Sequence, residues 1–303
     1  MINTELAVDP EVRVTAHVYE RAYGSAPAGA WRAPGGMVLL NGSPASLGVA
    51  LPWGVIIAAG VTDDGSTELY SMNHHADRFS IGRGRLPTAL ASGAVPAWAV
   101  PTVEALIAQE APGVRLVVNC ELPAATELLT GAETACVVSM VLEALCGKPE
   151  LPNESASYNV ARHAREAHAL VGTEHLPAEH LPCDLTAAGL RLLIMDVGVS
   201  SGPGARTVDA LPIAALRAGN LAALGPALTE AHVPGESTLD TALAAALSAG
   251  ALGGLAVGRC AVALVPMTAV PNVRATVTAA LSSARRPPRF LTAVPAAGAT
   301  RAI

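Results

Sequence analysis

Aromatic side chains make up only 3% of this 303-residue chain: three Trp, four Tyr and two Phe. So few rings leave little material for the stacking platforms that hold single-stranded nucleic acid. Charge is also scarce, with 15% of residues Asp, Glu, Lys or Arg, a formal net charge of −6 and no long basic run. That balance argues against nucleic acid or an anionic membrane as a partner. The five cysteines (Cys120, Cys136, Cys146, Cys183 and Cys260) are odd in number and contain no C-x-x-C pair. A disulfide framework or zinc site is therefore not expected, and a reducing cytoplasmic location fits. The N-terminal "MINTELAVDPEVRV" carries acids early and lacks the basic and apolar regions of a signal peptide. Residues 33–62 and 241–258 are uncharged, but Pro34, Pro44 and Pro52 break the first, and the second is mostly Ala and Gly. Neither reads as a membrane span.

What is present is apolar: 51% hydrophobic residues, enough for a full core in two lobes. Asp9-Pro10 predicts the cap and first residue of a helix that stops at Gly24. Extended segments follow at "MVLL", "VALPWGVIIAAGV" and "TELYSM", the last two joined by "TDDGS", a hairpin signal. Next come a helix near 101–110, the strand "VRLVVNCEL" and a long helix over about 126–146 closed by Gly147. "KPELPNES" marks the boundary between residues 1–152 and 153–303. Beyond it the sequence predicts a helix over 156–170, the strand "GLRLLIMDVGV", helices over about 209–249, the strand "RCAVALVP", a helix near 271–285 and the strand "RFLTAV". The class is α+β.

Several segments in order resemble the galactokinases of the GHMP small-molecule kinase superfamily. "WRAPGGMVLLNGS" is similar to A-P-G-R-V-N-L-I-G-E-H-T-D-Y; "NCELPAATELLTGAETACVVSM" lies where the family has D-[VL]-P-x-G-x-G-L-S-S-S-A. "ARHAREAHALVG" is similar to A-E-N-x-x-V-G, "LRLLIMDVG" to L-L-L-[IL]-D, and "GALGGLAVGRCAVALVP" to the glycine-rich third motif. The resemblance covers nearly the whole chain. It implies a two-lobed GHMP-kinase fold: a strand-rich N-terminal lobe with a long helix and a ferredoxin-like C-terminal α/β lobe.

The residues that carry phosphoryl transfer in that family do not follow. The family's Arg after A-P-G falls on Gly36, and its Glu-His-Thr-Asp tetrad on Gly42, Ser43, Pro44 and Ala45. A phosphate loop needs glycines whose N–H groups converge on oxygen anions. Here "AATELLTGAE" has one glycine, no serine and two acids, Glu127 and Glu133. The third motif keeps Gly250, Gly253, Gly254 and Gly258, with Arg259 free to bind an anion or to form a salt bridge. The family's catalytic Asp falls on Glu179 and its Gln on His180, which become the candidate acid–base pair. Gly35, Gly36, Asn41, Ser43 and Ser46 are the candidate ligand-binding residues of a neutral pocket.

His163, His168, His175 and His180 cluster with Glu166, Glu174 and Glu179, but their spacing does not predict a metal site. His74 and His75, as neighbours on an extended segment, point to opposite faces. Asp63-Asp64 reads as a turn, Cys136 as core and Asp196 as a local cap or partner. No cofactor is expected, and ATP and Mg²⁺ find poor support. The favoured expectation is a repurposed, ATP-independent enzyme on a small molecule. A divergent sugar kinase and a non-catalytic ligand-binding or regulatory pseudokinase are the alternatives.

Overall fold

The structure, a computed structural model, describes residues 9–42, 45–74, 77–123, 126–150, 153, 155–164, 170–172, 179–181, 183–199, 207 and 211–303, with backbone only for 170–172, 179 and 180. Helix α1 (Pro10–Tyr23) begins as its sequence predicts. The Asp9 carboxylate accepts from Glu11 N at 2.9 Å, and Gly24 (φ +73°) ends the helix in the left-handed region. Val12, Thr15 and Tyr19 form its buried stripe.

Strands β1 (Gly29–Asn41) and β2 (Ser46–Val61) form one long antiparallel hairpin. β3 (Thr67–Ser71), β4 (Arg78–Ile81) and β5 (Val114–Cys120) extend the sheet in the order β1-β2-β5-β3-β4. The D-D-G segment is therefore not a hairpin turn. β3 runs parallel to β5, which separates it from β2. Asp64 instead makes a local turn, its Oδ1 accepting from Ser66 N and Oγ.

The charge-free run from 33 to 62 is explained by burial on both faces. Ala30, Ile56, Ala58 and Val117 pack with α1 on one side. Trp31, Val55, Ile57, Ala59 and Val118 pack on the other beneath α3 (Val100–Ala108) and α4 (Ala132–Cys146). A strand pair covered on both faces has no wet row on which to place charge. Helix α4 starts at Ala132, not near 126, because Glu127 (φ +54°) and Gly131 (φ +90°) break the preceding segment away from helical geometry.

Helix α5 (Ala156–His163), capped by Ser155, lies on β1 and α4. The predicted helix over 156–170 is shorter than its pattern: residue 170 already belongs to β6 (Leu170–Gly172), which pairs with β2 and with β7 (Glu179–Leu181). A second sheet, ordered β11-β8-β10-β9, comprises β8 (Leu190–Asp196), β9 (Gly253–Val257), β10 (Cys260–Pro266) and β11 (Arg289–Ala293). The short α6 (Ile213–Arg217), then α7 (Leu224–Ala231) and α8 (Ser237–Ser248), precede β9, and α9 (Val270–Ala280) precedes β11. One face of this sheet packs under α8 and α9 through Leu193, Met195, Leu239 and Val273. The other shares a core with the first sheet, joining Ile194, Val262 and Leu264 to Met37, Leu39 and Leu47. The chain finally returns to the first sheet, where β12 (Thr300–Arg301) pairs with β1. Among the described residues no helix is long and apolar enough to cross a membrane.

Candidate functional site

A cavity of about 260 Å³ opens where β5 ends and α4 begins. Trp98, His74, Cys120, Leu122, Leu129, Glu127 and Glu133 are among its walls. His74 stacks on Trp98, ring centroids 6.4 Å apart and planes 14° from parallel. The Trp98 indole nitrogen is buried with no hydrogen-bond partner among the described residues. Asn73 fixes the rim by acting as a strand partner: its Nδ2 donates to Cys120 O at 2.9 Å, and its Oδ1 accepts from Cys120 N at 2.8 Å. Burial, helped by the nearby Glu133 and Glu121 carboxylates, pushes the Cys120 thiol up to about 11.

The mouth of α4 is the natural place for an anion, since the helix dipole and unpaired N–H groups converge there. In this chain the donors at and just ahead of the first residue of the helix are already engaged. Gly131 N donates to Glu133 Oε1 at 2.7 Å, Thr130 N to Glu133 Oε2 at 3.4 Å, and Ala132 N to Thr130 Oγ1 at 3.4 Å. Glu133 is only 1% exposed. Burial raises its carboxyl above the ordinary range, and the Gly131 and Thr130 N–H groups offset only part of that rise. The side chain takes the Gly131 and Thr130 donors, which are then not offered to a phosphate.

The loop before α4 is clasped from the second sheet. Arg259, in the β9–β10 turn, forms an ion pair with Glu127, Nε to Oε1 at 2.7 Å. Its backbone N–H donates to Thr126 O at 3.4 Å. Gly258 (φ +55°) lies so near the Glu127 carbonyl that a β-carbon would come within 2.9 Å of it. Of the two readings of Arg259, the salt bridge is the one formed. The other third-motif glycines also serve packing: Gly253 abuts the backbone of Gly225 in α7, and Gly254 lies against Val262 and Leu243.

The remaining candidates are dispersed. Gly35 packs against Leu129 and the Trp53 carbonyl, and Gly36 against the backbone of α5; neither lines the cavity. Asn41 and Ser46 close the β1–β2 pairing, Ser46 Oγ donating to Asn41 Oδ1 at 3.4 Å; Ser43 lies outside the described residues. Glu179 and His180 are in register with Gly172 and Val171, and those two with Leu47 and Gly48, which puts the pair near Ser46 in the sheet. His75, His168 and His175 fall outside the described residues. Among the described residues no three His, Cys, Asp or Glu side chains form a metal-binding group. Cys136 is core, and Asp196 accepts from Gly198 N and pairs with Arg289. Trp98 and His74 are the wall residues that periodicity did not single out, because a pocket formed by separate loops has no local signature.

Arg32, the last charge before the neutral run, is wholly structural. Its guanidinium donates to both Glu121 oxygens, to Pro52 O and to Asp9. Glu121 in turn accepts from Gly54 N at 2.8 Å. Burial lifts the Glu121 carboxyl above its usual range, with Arg32 and the Gly54 N–H pulling the other way.

No known family profile matches the chain. It is 25% identical to a galactokinase of Streptomyces coelicolor, the alignment covering 94% of this chain and 97% of that protein. The solved galactokinase of Lactococcus lactis in complex with galactose superposes with a TM-score of 0.79 at 17% identity, covering 96% of this chain and all of the other. A homoserine kinase from Cytophaga hutchinsonii covers 90% of this chain with a TM-score of 0.58 at 14% identity, and is covered over 96% of its own length. For the mevalonate kinase of Methanococcus jannaschii the corresponding values are 88%, 0.55, 10% and 98%.

Proposed function

We propose that this chain, which is galactokinase-like and has the two-lobed α+β GHMP-kinase fold, binds a small uncharged molecule in the cavity beside α4 and does not transfer phosphate from MgATP. The observation that carries the reading is Glu133, a buried carboxyl in the first turn of that helix that takes the Gly131 and Thr130 N–H groups at its mouth. Phosphoryl transfer depends almost wholly on positioning and on neutralising the phosphate oxygens. Arg259 is neutralised by Glu127, and Arg32 by Glu121 and Asp9. One preorganised electrostatic donor is worth roughly 3 to 4 kcal/mol in a transition state. Lacking several of them, the site has little to offer a triphosphate, and its residues do not fit Mg²⁺ with ATP.

The walls suit a neutral, partly apolar molecule. The Trp98–His74 stack offers a flat face, Leu122 and Leu129 offer apolar contact, and the Trp98 indole N–H, without a partner among the described residues, offers a donor for one ligand acceptor. The deciding experiment measures ADP formation from MgATP with a panel of free sugars, alongside quenching of Trp98 fluorescence judged against a Trp98→Phe control. We expect no sugar-dependent ADP. Sugar-dependent turnover would overturn the proposal and establish a divergent sugar kinase, the second reading. That reading is favoured by the near full-length match to a galactokinase.

A further inference from the structure

A separate cleft of about 740 Å³ lies on the C-terminal lobe, where the β9–β10 turn meets the connection between α9 and β11. Three guanidinium groups line it: Arg259, Arg285 and Arg286. Neither Arg285 nor Arg286 makes an ion pair among the described residues, although Arg289, three positions on, pairs with Asp196. The one carboxylate among the described lining residues, Glu236, is hydrogen-bonded to the first turn of α8. Its Oε2 accepts from Leu239 N at 2.8 Å, and its Oε1 accepts from Thr238 Oγ1 at 3.2 Å. With Arg259 balanced by Glu127, Arg285 and Arg286 outweigh Glu236 and leave the described lining positive in a chain of net charge −6.

We propose that this cleft binds a small oxyanion carrying at least two negative charges, a phosphate ester or a polycarboxylate. Guanidinium forks match such oxygens in paired, charge-assisted hydrogen bonds, and Arg285 and Arg286, exposed and without an ion pair among the described residues, present two such forks to one ligand. Arg259 links this cleft to the cavity beside α4, because it lines the first while its partner Glu127 lines the second. An anion that engages Arg259 competes with Glu127 and so loosens the clasp on the loop before α4. The two ligands are thereby coupled through one ion pair.

The test is calorimetric titration of the full chain with pyrophosphate and, separately, with citrate, at matched ionic strength. Saturable binding of either is expected, pyrophosphate alone marking a phosphate site and citrate alone a carboxylate site. The exposed pair Arg285→Ala/Arg286→Ala should weaken that binding at least tenfold, while Arg13→Ala on α1 should not change it. Heats no larger than those of sodium chloride, or an unchanged affinity in the double variant, would overturn the assignment. The outcome is independent of the cavity proposal. A nucleotide-induced thermal shift that vanishes in the double variant belongs to this cleft, whereas one that survives belongs to the cavity.

Discussion

The backbone carbonyl of Ser157, in the first turn of α5, packs so tightly against Gly36 of β1 that no β-carbon fits between them. The resemblance lays the galactokinase arginine on Gly36, and there α5 leaves no room for any side chain.

Gly36→Ala should therefore destabilise the fold by about 1–3 kcal/mol, as overpacking does where the neighbour is backbone and cannot rotate away. Gly36→Arg should be worse and should not confer sugar phosphorylation. Urea denaturation checks the first statement and an ADP assay the second. A Gly36→Arg protein as stable as the parent would contradict the packing described above.

Glu133 predicts a pH dependence with a definite sign. Burial raises its carboxyl in the folded state, so the native protein holds a proton that the unfolded chain releases. Its favourable contribution is complete below the ordinary carboxyl pKa and is lost as pH rises through the raised value. Glu133→Gln, which cannot ionise, should gain stability relative to the parent between pH 4 and pH 8. Urea midpoints at the two pH values measure this, and a constant difference would refute it.

Arg32 and Glu121 form a partly buried pair in which Glu121 has only 9% of its side chain exposed. Arg32→Ala strands that carboxylate and should cost about 3 kcal/mol. The double variant Arg32→Ala/Glu121→Gln should be less damaged than the sum of the single changes, since no charge is left alone. Additive losses would show that the two residues act separately.

Cys120 lines the cavity with its thiol pushed up to about 11. At pH 8 it should carry about 100-fold less thiolate than an ordinary cysteine and alkylate correspondingly slowly. Iodoacetamide labelling followed by peptide mass analysis gives the rate, and a cavity ligand should slow it further. Rapid labelling of Cys120 in the free protein would contradict its placement.

Much of the fold was legible locally. Asp9, Pro10 and Gly24 define α1, and Gly147 ends α4, because caps and left-handed glycines act within a few residues. The D-D-G segment misled because pairing partners are chosen by the whole sheet, and β5 inserts between β2 and β3. The neutral 35–48 stretch, expected to line a pocket, is strand over 35–41 and 46–48, a pairing its glycines and prolines did not announce. The cavity walls come from loops far apart in the chain, and only the fold shows that Arg289 of "ARRPPR" pairs with Asp196 while Arg285 and Arg286 have no ion pair among the described residues.

The sequence by itself determined the α+β class, the order of most elements and the uncharged composition of residues 33–62. Those properties depend on residue identity, periodicity and caps, which act at short range. Only the tertiary structure decided that Glu133 turns back into the mouth of α4, that Arg259 is neutralised by Glu127, and that α5 fills the space beside Gly36. Each of these depends on where a distant segment comes to rest, or on how burial changes the balance between a charge and its partners.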